Sequence, residues 1–287
     1  MLRTLLFSLL LLFLLSDTTT AQYTPDTSRM YRIDHGDAYA LFGFGLVTNI
    51  YGIRRVQEGE DTDLEIIRNL SPDRVNWFDR WIVQQDGQEV FERIRGGEGL
   101  RPRDYSDWGL IGGGVVPLLL GLDKKGRQQW FDILPMYLEA QVITANMWSW
   151  SPIGPAVVTR YRPFAYYDVF DIEERAGSGR RASWYSGHVA SSAVGPFFAA
   201  KVYSDLHPEI GNRKWILYGA ASLFPIWTGY WRLQDLAHFP SDLVVGAAVG
   251  VAVGVLVPHF HKKRRQKFGL SVIWEEDKKA AGMVMRF

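Results

Sequence analysis

The stretch RLQDLAHFPSDLVVGAAVGVAVGVLV, residues 232–257, runs from a polar segment into a long apolar one. From Leu243 to Val257 it alternates glycine and alanine with valine, and it ends at Pro258. Small residues at short intervals let the backbones of two helices approach closely, as in membrane helix pairs. The pattern therefore predicts a helix over about 240–258 that packs tightly against a neighbour, in a membrane or in the core of a soluble bundle.

Other apolar segments precede this one and are separated by short polar joints. They predict helices at about 107–121, 128–149, 188–205 and 214–231, and a further candidate helix at 38–53. Near the C terminus, Leu270 to Trp274 and Met283 to Phe287 have the composition of two short strands. We expect an all-α fold, a multi-helix bundle that is embedded in a membrane and carries a short C-terminal β-hairpin.

The composition excludes several classes of function. The 32 lysines and arginines nearly balance the 31 aspartates and glutamates, and no basic stripe precedes residue 262, which argues against a nucleic-acid partner. The chain contains no cysteine, which excludes disulfides, thiol nucleophiles and cysteine-ligated zinc. If such a protein is exported, its core or a membrane must hold it together.

The N terminus has the features of a secretory signal peptide. Arg3 precedes an apolar run from Leu5 to Leu15, which is too short to span a bilayer, and a small-residue exit leads to Ala21. An uncleaved anchor helix is the alternative. We expect four parts: a signal peptide at 1–21, an N-terminal helical extension at 22–105, a core helix bundle at 106–262 and a basic tail with a possible hairpin at 263–287.

Charge at the joints predicts an orientation if the helices span a membrane. Lysine or arginine is present at 123–127, 212–214 and 262–265, so these joints are expected on the cytoplasmic side. The joints at 150–187 and 232–239 then face the exterior. We expect an exported protein of the cell membrane whose two polar joints face the periplasm, with a soluble periplasmic bundle as the alternative.

These two exterior joints contain most of the polar residues that carry chemistry. The second joint and the start of the next helix hold Arg232, His238 and Asp242. His238 and Asp242 are four residues apart, so on a helix they share a face and can form a hydrogen bond. A carboxylate bonded to one imidazole nitrogen leaves the other nitrogen free to act as a nucleophile.

Three segments in the two joints together resemble a known family. They are Arg162-Pro163, Ser186-Gly187-His188, and Arg232 through His238 to Asp242. In this order they are similar to the three signatures of the type 2 phosphatidic acid phosphatase and vanadium haloperoxidase superfamily. The resemblance covers roughly 107–260. It implies a phosphatase that hydrolyses a phosphomonoester or pyrophosphate, of a lipid, through a phosphohistidine intermediate and without a metal or other cofactor.

The resemblance implies three catalytic residues. His238 would attack phosphorus, and Asp242 would orient its imidazole ring. His188 would protonate the leaving alkoxide and then deprotonate the water that releases phosphate. The expected partners are a lipid phosphate or pyrophosphate substrate and a membrane.

The resemblance also implies a set of phosphate-binding residues. Arg162 and Arg232 would bind the non-bridging oxygens, where charge develops in the transition state. Ser186 and the backbone N–H of Gly187 would add hydrogen-bond donors.

One position departs from the family pattern. The first signature of the family begins with a lysine seven residues before Arg162, and this chain has Pro155 there. Arg160, two residues before Arg162, is expected to reach the phosphate in place of that lysine, since an extended chain directs both side chains to one side. The alternatives are a catalytically impaired scaffold or binding protein on the same fold and, less favoured, a vanadium haloperoxidase.

Overall fold

The computed structural model describes residues 29–262, except 32, 34, 59, 60, 97 and 98, together with the backbone of two C-terminal strands. The signal peptide expected at 1–21 lies outside the described residues. The first part of the basic tail, 263–268, also lies outside them.

The described part of the chain is predominantly helical, which confirms the all-α fold. Its α-helices are α1 His35–Gln57, α2 Leu64–Arg68, α3 Gly87–Arg95, α4 Pro102–Val115, α5 Lys124–Gln128, α6 Trp130–Trp150, α7 Ile172–Ala176, α8 Gly187–Leu206, α9 Lys214–Gln234 and α10 Pro240–His261. Short 3-10 helices cover Pro72–Arg74, Arg80–Val83, Val116–Gly121, Pro163–Tyr166, Ser178–Arg181 and Pro208–Arg213. Each of the five apolar segments predicted from the sequence forms a helix.

Local sequence signals begin the two helices that carry the signature residues. The Ser186 hydroxyl accepts a hydrogen bond from the backbone N–H of Val189 and so caps α8. Pro240 is the first residue of α10. The backbone N–H at this position has no partner within a helix, so proline, which lacks it, loses no hydrogen bond there. As a result, His188 and Asp242 both lie in the first turn of their helices.

Glycines bring α10 and α8 into backbone contact. A Cβ added at Gly246 would lie 2.5 Å from the carbonyl oxygen of Ser186, and one added at Gly250 would lie 2.1 Å from that of Ala190. Both separations are far below van der Waals contact, so only glycine fits at either position. This close approach holds the beginnings of the two helices side by side.

Replacing Gly250 by alanine is expected to destabilise the protein by about 1–3 kcal/mol, because the new methyl group collides with the α8 backbone. Gly219 in α9 is the matched control, since no atom lies within 4 Å of a Cβ added there. Alanine at 219 is expected to leave stability unchanged or raise it, because glycine lowers helix stability. Thermal unfolding of the two variants in detergent tests this, and equal midpoints would contradict it.

Four hydrophobic clusters lie among the described residues, and the two largest organise the bundle and its joints. The larger one lies inside the bundle and includes Ile133, Met136, Val194 and Phe198. The second joins the extension to the polar joints, because Val75, Ile82 and Val90 pack with Phe164, Leu236 and Phe239. The segment before α4 therefore supports the loops that carry the signature residues.

Among the described helices, α10 alone is long and apolar enough to cross a membrane when judged by length and composition. The sequence-based expectation of a membrane-embedded bundle thus receives support from one helix.

Helix α1, which the sequence analysis assigned to the extension, packs on α6 of the core. The Asn146 side chain on α6 donates a hydrogen bond to the carbonyl of Gly45 on α1 at 2.8 Å. The division into extension and core stays a prediction.

At the C terminus, strands β1 Gly269–Glu275 and β2 Ala280–Arg286 pair antiparallel, with Leu270 opposite Met285. The β-hairpin as a whole stays a prediction, since the residues that would join the strands, 276–279, lie outside the described ones.

Candidate active site

Two adjoining cavities lie where the polar joints meet the beginnings of α4 and α8. The larger has a volume of about 560 Å³ and the smaller about 200 Å³. Arg162, His188 and Arg232 line both cavities, so these three residues mark the place where the cavities meet. The sequence-predicted signatures, distant along the chain, thus come together at one site.

His238 lines the smaller cavity and is otherwise enclosed, with 2% of its surface exposed. Its Nδ1 lies 2.6 Å from the backbone carbonyl oxygen of Ser183, which can only accept a hydrogen bond. Nδ1 therefore carries the proton, and Nε2 has its lone pair free. Burial lowers the pKa of His238 well below its usual value, and the positive charges of Arg232 and Arg162 lower it further. The ring is thus neutral at neutral pH, with Nε2 unprotonated.

The sequence had suggested a direct hydrogen bond between Asp242 and the imidazole, and the structure does not have it. The nearest carboxylate oxygen of Asp242 lies 3.9 Å from His238 Nδ1, because the carbonyl of Ser183 occupies the bonding position. That carboxylate instead accepts bonds from the Ser183 hydroxyl at 2.5 Å and from the Phe239 backbone N–H at 2.8 Å. Asp242 therefore fixes the segments of Ser183 and Phe239, which lie on either side of His238. It positions the imidazole ring indirectly, through Ser183.

Arg160 lies elsewhere than the sequence had suggested. Its guanidinium binds the carboxylates of Asp79 and Asp242 and the Ser241 hydroxyl, and lies 4.1 Å above the ring of Phe239. It lines neither of the two cavities. The expectation that Arg160 replaces the family lysine is corrected, because two buried carboxylates attract its charge away from the cavity.

His188 lies beside a carboxylate that sequence reasoning did not identify. Its Nε2 is 3.3 Å from Oδ1 of Asp107, which belongs to α4. Burial, and next the charges of Arg232 and Arg162, lower the pKa of His188 to about 3, so this imidazole can hold and transfer a proton once the negative charge of a bound anion raises that pKa. The contact joins residues that are 81 positions apart, so no local pattern in the sequence indicates it.

The guanidinium groups of Arg162 and Arg232 are available to an anion. Nε of each is buried and has no hydrogen-bond partner among the described residues. Arg232 makes only long contacts, at 3.4 Å to the Ser106 hydroxyl and 3.7 Å to Asp235. Burial lowers the pKa of Arg162 to about 9, with nearby Arg232 as the next cause, and Arg162 still remains charged at neutral pH. Unsatisfied buried donors of this kind are costly unless a ligand binds them.

The two remaining residues of the second signature differ in position. Gly187 lines the smaller cavity, where its missing side chain leaves room beside the indole of Trp148. Ser186 is fully buried and lines neither cavity, and its oxygen caps α8. A direct contact of Ser186 with phosphate stays a prediction, and its observed contact is structural.

Further arginines line the larger cavity although they belong to none of the three signatures. They are Arg95, Arg101, Arg103 and Arg180. Pro155, at the position of the family lysine, lines neither cavity. Among the described residues, no group of three histidine, aspartate or glutamate side chains is placed to hold a metal ion.

Comparison with known proteins gives one match. The model of a family described as the PAP2 superfamily matches residues 137–266, which include all three signatures. No curated protein and no solved structure matches the chain.

Proposed function

We propose that this chain, a member of the PAP2 superfamily, is a lipid phosphatase that works through a phosphohistidine formed on His238. Membership of the superfamily supports a phosphatase-type hydrolase in general. The observation that carries the finer proposal is the arrangement of His238, a neutral buried imidazole with its Nε2 lone pair free, beside two arginines with unsatisfied donors.

The geometry supports a two-step reaction. Nε2 of His238 attacks phosphorus, the bond to the leaving oxygen breaks, and His188 supplies the proton that the leaving alkoxide needs. His188 then takes a proton from a water molecule, whose oxygen attacks phosphorus and releases phosphate from His238. Arg162 and Arg232 bind the non-bridging oxygens and stabilise the charge that develops on them.

A lipid substrate is supported by the surroundings of the smaller cavity. Beyond the signature residues its lining includes the apolar side chains of Ile53, Leu110, Ala145 and Trp148, beside the polar side chains of Asn49, Gln57 and Ser191. The four apolar residues lie on α1, α4 and α6, so an alkyl chain that enters between these helices meets an apolar surface. An apolar lining of this kind favours an alkyl phosphate over a small polar one.

A membrane location is supported by exposed apolar surface as well as by α10. Large apolar side chains that point away from the described bundle include Phe44 on α1, Trp108 and Ile111 on α4, and Trp215, Ile216, Leu223 and Ile226 on α9. Apolar surface of this extent on a soluble monomer is rare and marks contact with lipid or a partner. Export and a periplasmic active site rest on the sequence, through the signal segment and the charged joints.

The missing lysine favours a second candidate, a binding protein that has lost turnover on the same fold. One cation of the family pattern is absent at Pro155, and Arg160 does not replace it. Such a protein would bind phosphate or vanadate and release no product.

The test is phosphate release by the purified full chain in detergent, with p-nitrophenyl phosphate and phosphatidate as substrates and EDTA present. Turnover is expected with both, and orthovanadate is expected to inhibit it competitively, since it mimics the five-coordinate transition state. Folded protein that binds vanadate without releasing phosphate would identify the binding-only candidate. Turnover that millimolar-range vanadate leaves unchanged would contradict the phosphohistidine route, and vanadate-dependent oxidation of bromide by peroxide would indicate a haloperoxidase.

A further inference from the structure

We infer that the mouth of the site binds a second anionic group of the substrate, in addition to the phosphoryl group that is transferred. The residues that form this outer arginine tier are Arg95, Arg101, Arg103 and Arg180. The inference rests on the proposed function and adds to it a substrate class, that of phosphate esters with a second negative group next to the first.

The charge of the larger cavity exceeds what one phosphoryl group neutralises. Its lining contains six arginines and two carboxylates, Glu174 and Asp235, so the arginines are in excess by four. A phosphate monoester carries a charge of about −1.5 to −2 at neutral pH. A simple monoester therefore offsets about two of the four excess positive charges, and about two remain on the side of the outer arginine tier, enough for one further anionic group.

Two members of the tier are held in place by contacts outside the cavity centre. Arg95 binds the carboxylate of Glu174, and Nε of Arg180 donates to the backbone carbonyl of the same residue at 3.1 Å. The guanidinium of Arg180 also lies 3.8 Å above the ring of Phe164. Each guanidinium keeps further donors, because these contacts use only part of its five N–H groups. The positions are therefore organised before a ligand arrives.

Arg103, like Arg101, has no side-chain partner among the described residues. Its side chain is exposed, lines the larger cavity and makes no hydrogen bond or ion pair with the described residues. It lies one turn before Asp107 on α4, and Asp107 contacts His188 at 3.3 Å. Residues four apart share a helix face, so Arg103 is adjacent to the proton-transferring histidine on its outer side.

The resemblance to the family does not imply this tier. Three of its residues lie between 95 and 103, before the matched region begins at 137, and Arg180 lies between the first and second signatures. The tier is therefore built from segments that the three signatures do not cover.

The experiment compares dodecyl diphosphate with dodecyl phosphate, which share one alkyl chain and differ by one anionic group. The wild type is expected to have a kcat/KM for the diphosphate at least about tenfold higher, and Arg103→Ala to reduce that ratio about tenfold or more. The double variant Arg101→Ala/Arg103→Ala should reduce it further. Arg127→Ala is the matched control, an exposed arginine on α5 that lines neither cavity.

Two outcomes would overturn the inference. One is a ratio near one in the wild type, and the other is a ratio that Arg103→Ala leaves unchanged. If the wild type hydrolyses neither compound, the proposed function fails, and calorimetric titration with inorganic pyrophosphate and inorganic phosphate still tests the tier. Tighter pyrophosphate binding that Arg103→Ala weakens would support the tier, and equal binding of the two anions would exclude it.

Discussion

Replacing His238 by alanine is expected to lower kcat by at least about a thousandfold, because the variant has no atom that can attack phosphorus. The imidazole lines the smaller cavity, and its hydrogen bond from Nδ1 to the Ser183 carbonyl leaves the lone pair of Nε2 free to attack. The measurement is phosphate release under saturating substrate. Mass spectrometry after an alkaline quench should detect a phosphorylated His238 in the wild type and none in the variant.

The matched control is His259→Ala, at the opposite end of α10, where the side chain is exposed. It is expected to retain full turnover. Because His238 is buried, thermal unfolding must show that the alanine variant folds, and His238→Asn provides a second variant that fills more of the space. A folded variant that retains more than a few per cent of the wild-type kcat would rule out His238 as the nucleophile.

Replacing Arg160 by alanine is expected to destabilise the protein by about 3–5 kcal/mol, the usual result of removing one partner from a buried ion pair. Asp79 and Asp242, the two carboxylates that Arg160 binds, are fully buried. Without the guanidinium, both carboxylates must stay charged in a poorly solvated position or take up a proton. Either change costs free energy, and the loop that carries His238 loses its support.

Thermal unfolding measures this effect, and Arg181→Ala is the control, an exposed arginine on the chain segment next to Arg160. Adding Asp79→Asn to Arg160→Ala removes one uncompensated charge and is expected to restore part of the lost stability. An unchanged unfolding midpoint together with a tenfold lower kcat/KM would show instead that Arg160 acts on the substrate.

The fold could be predicted because its signals are local. The apolar run from Leu243 to Val257 and the proline before it define α10, which the structure places at Pro240–His261. Helices that depend on a continuous apolar run can be predicted in this way, since the pattern and the structure cover the same residues.

The site could be predicted only in part. The signatures identified Arg162, His188, Arg232 and His238, and the structure brings these four together around the cavities. Contacts between distant segments could not be predicted from local sequence patterns, as the contact of Asp107 with His188 shows. The error on Arg160 has the same origin. Its extended conformation was expected and its backbone does pair with Ala182, but nothing in the sequence indicates that Asp79 lies opposite.

Asp79 has an evolutionary consequence for the chain. Its carboxylate accepts bonds from the backbone N–H and the hydroxyl of Ser241 at 2.9 and 2.6 Å, beside the turn that holds the nucleophile. The segment before α4 is therefore not an accessory that can be exchanged independently of the region with the signatures. We therefore expect a substitution at position 79 to require a compensating one at 160 or 241, so that the two regions change together in evolution.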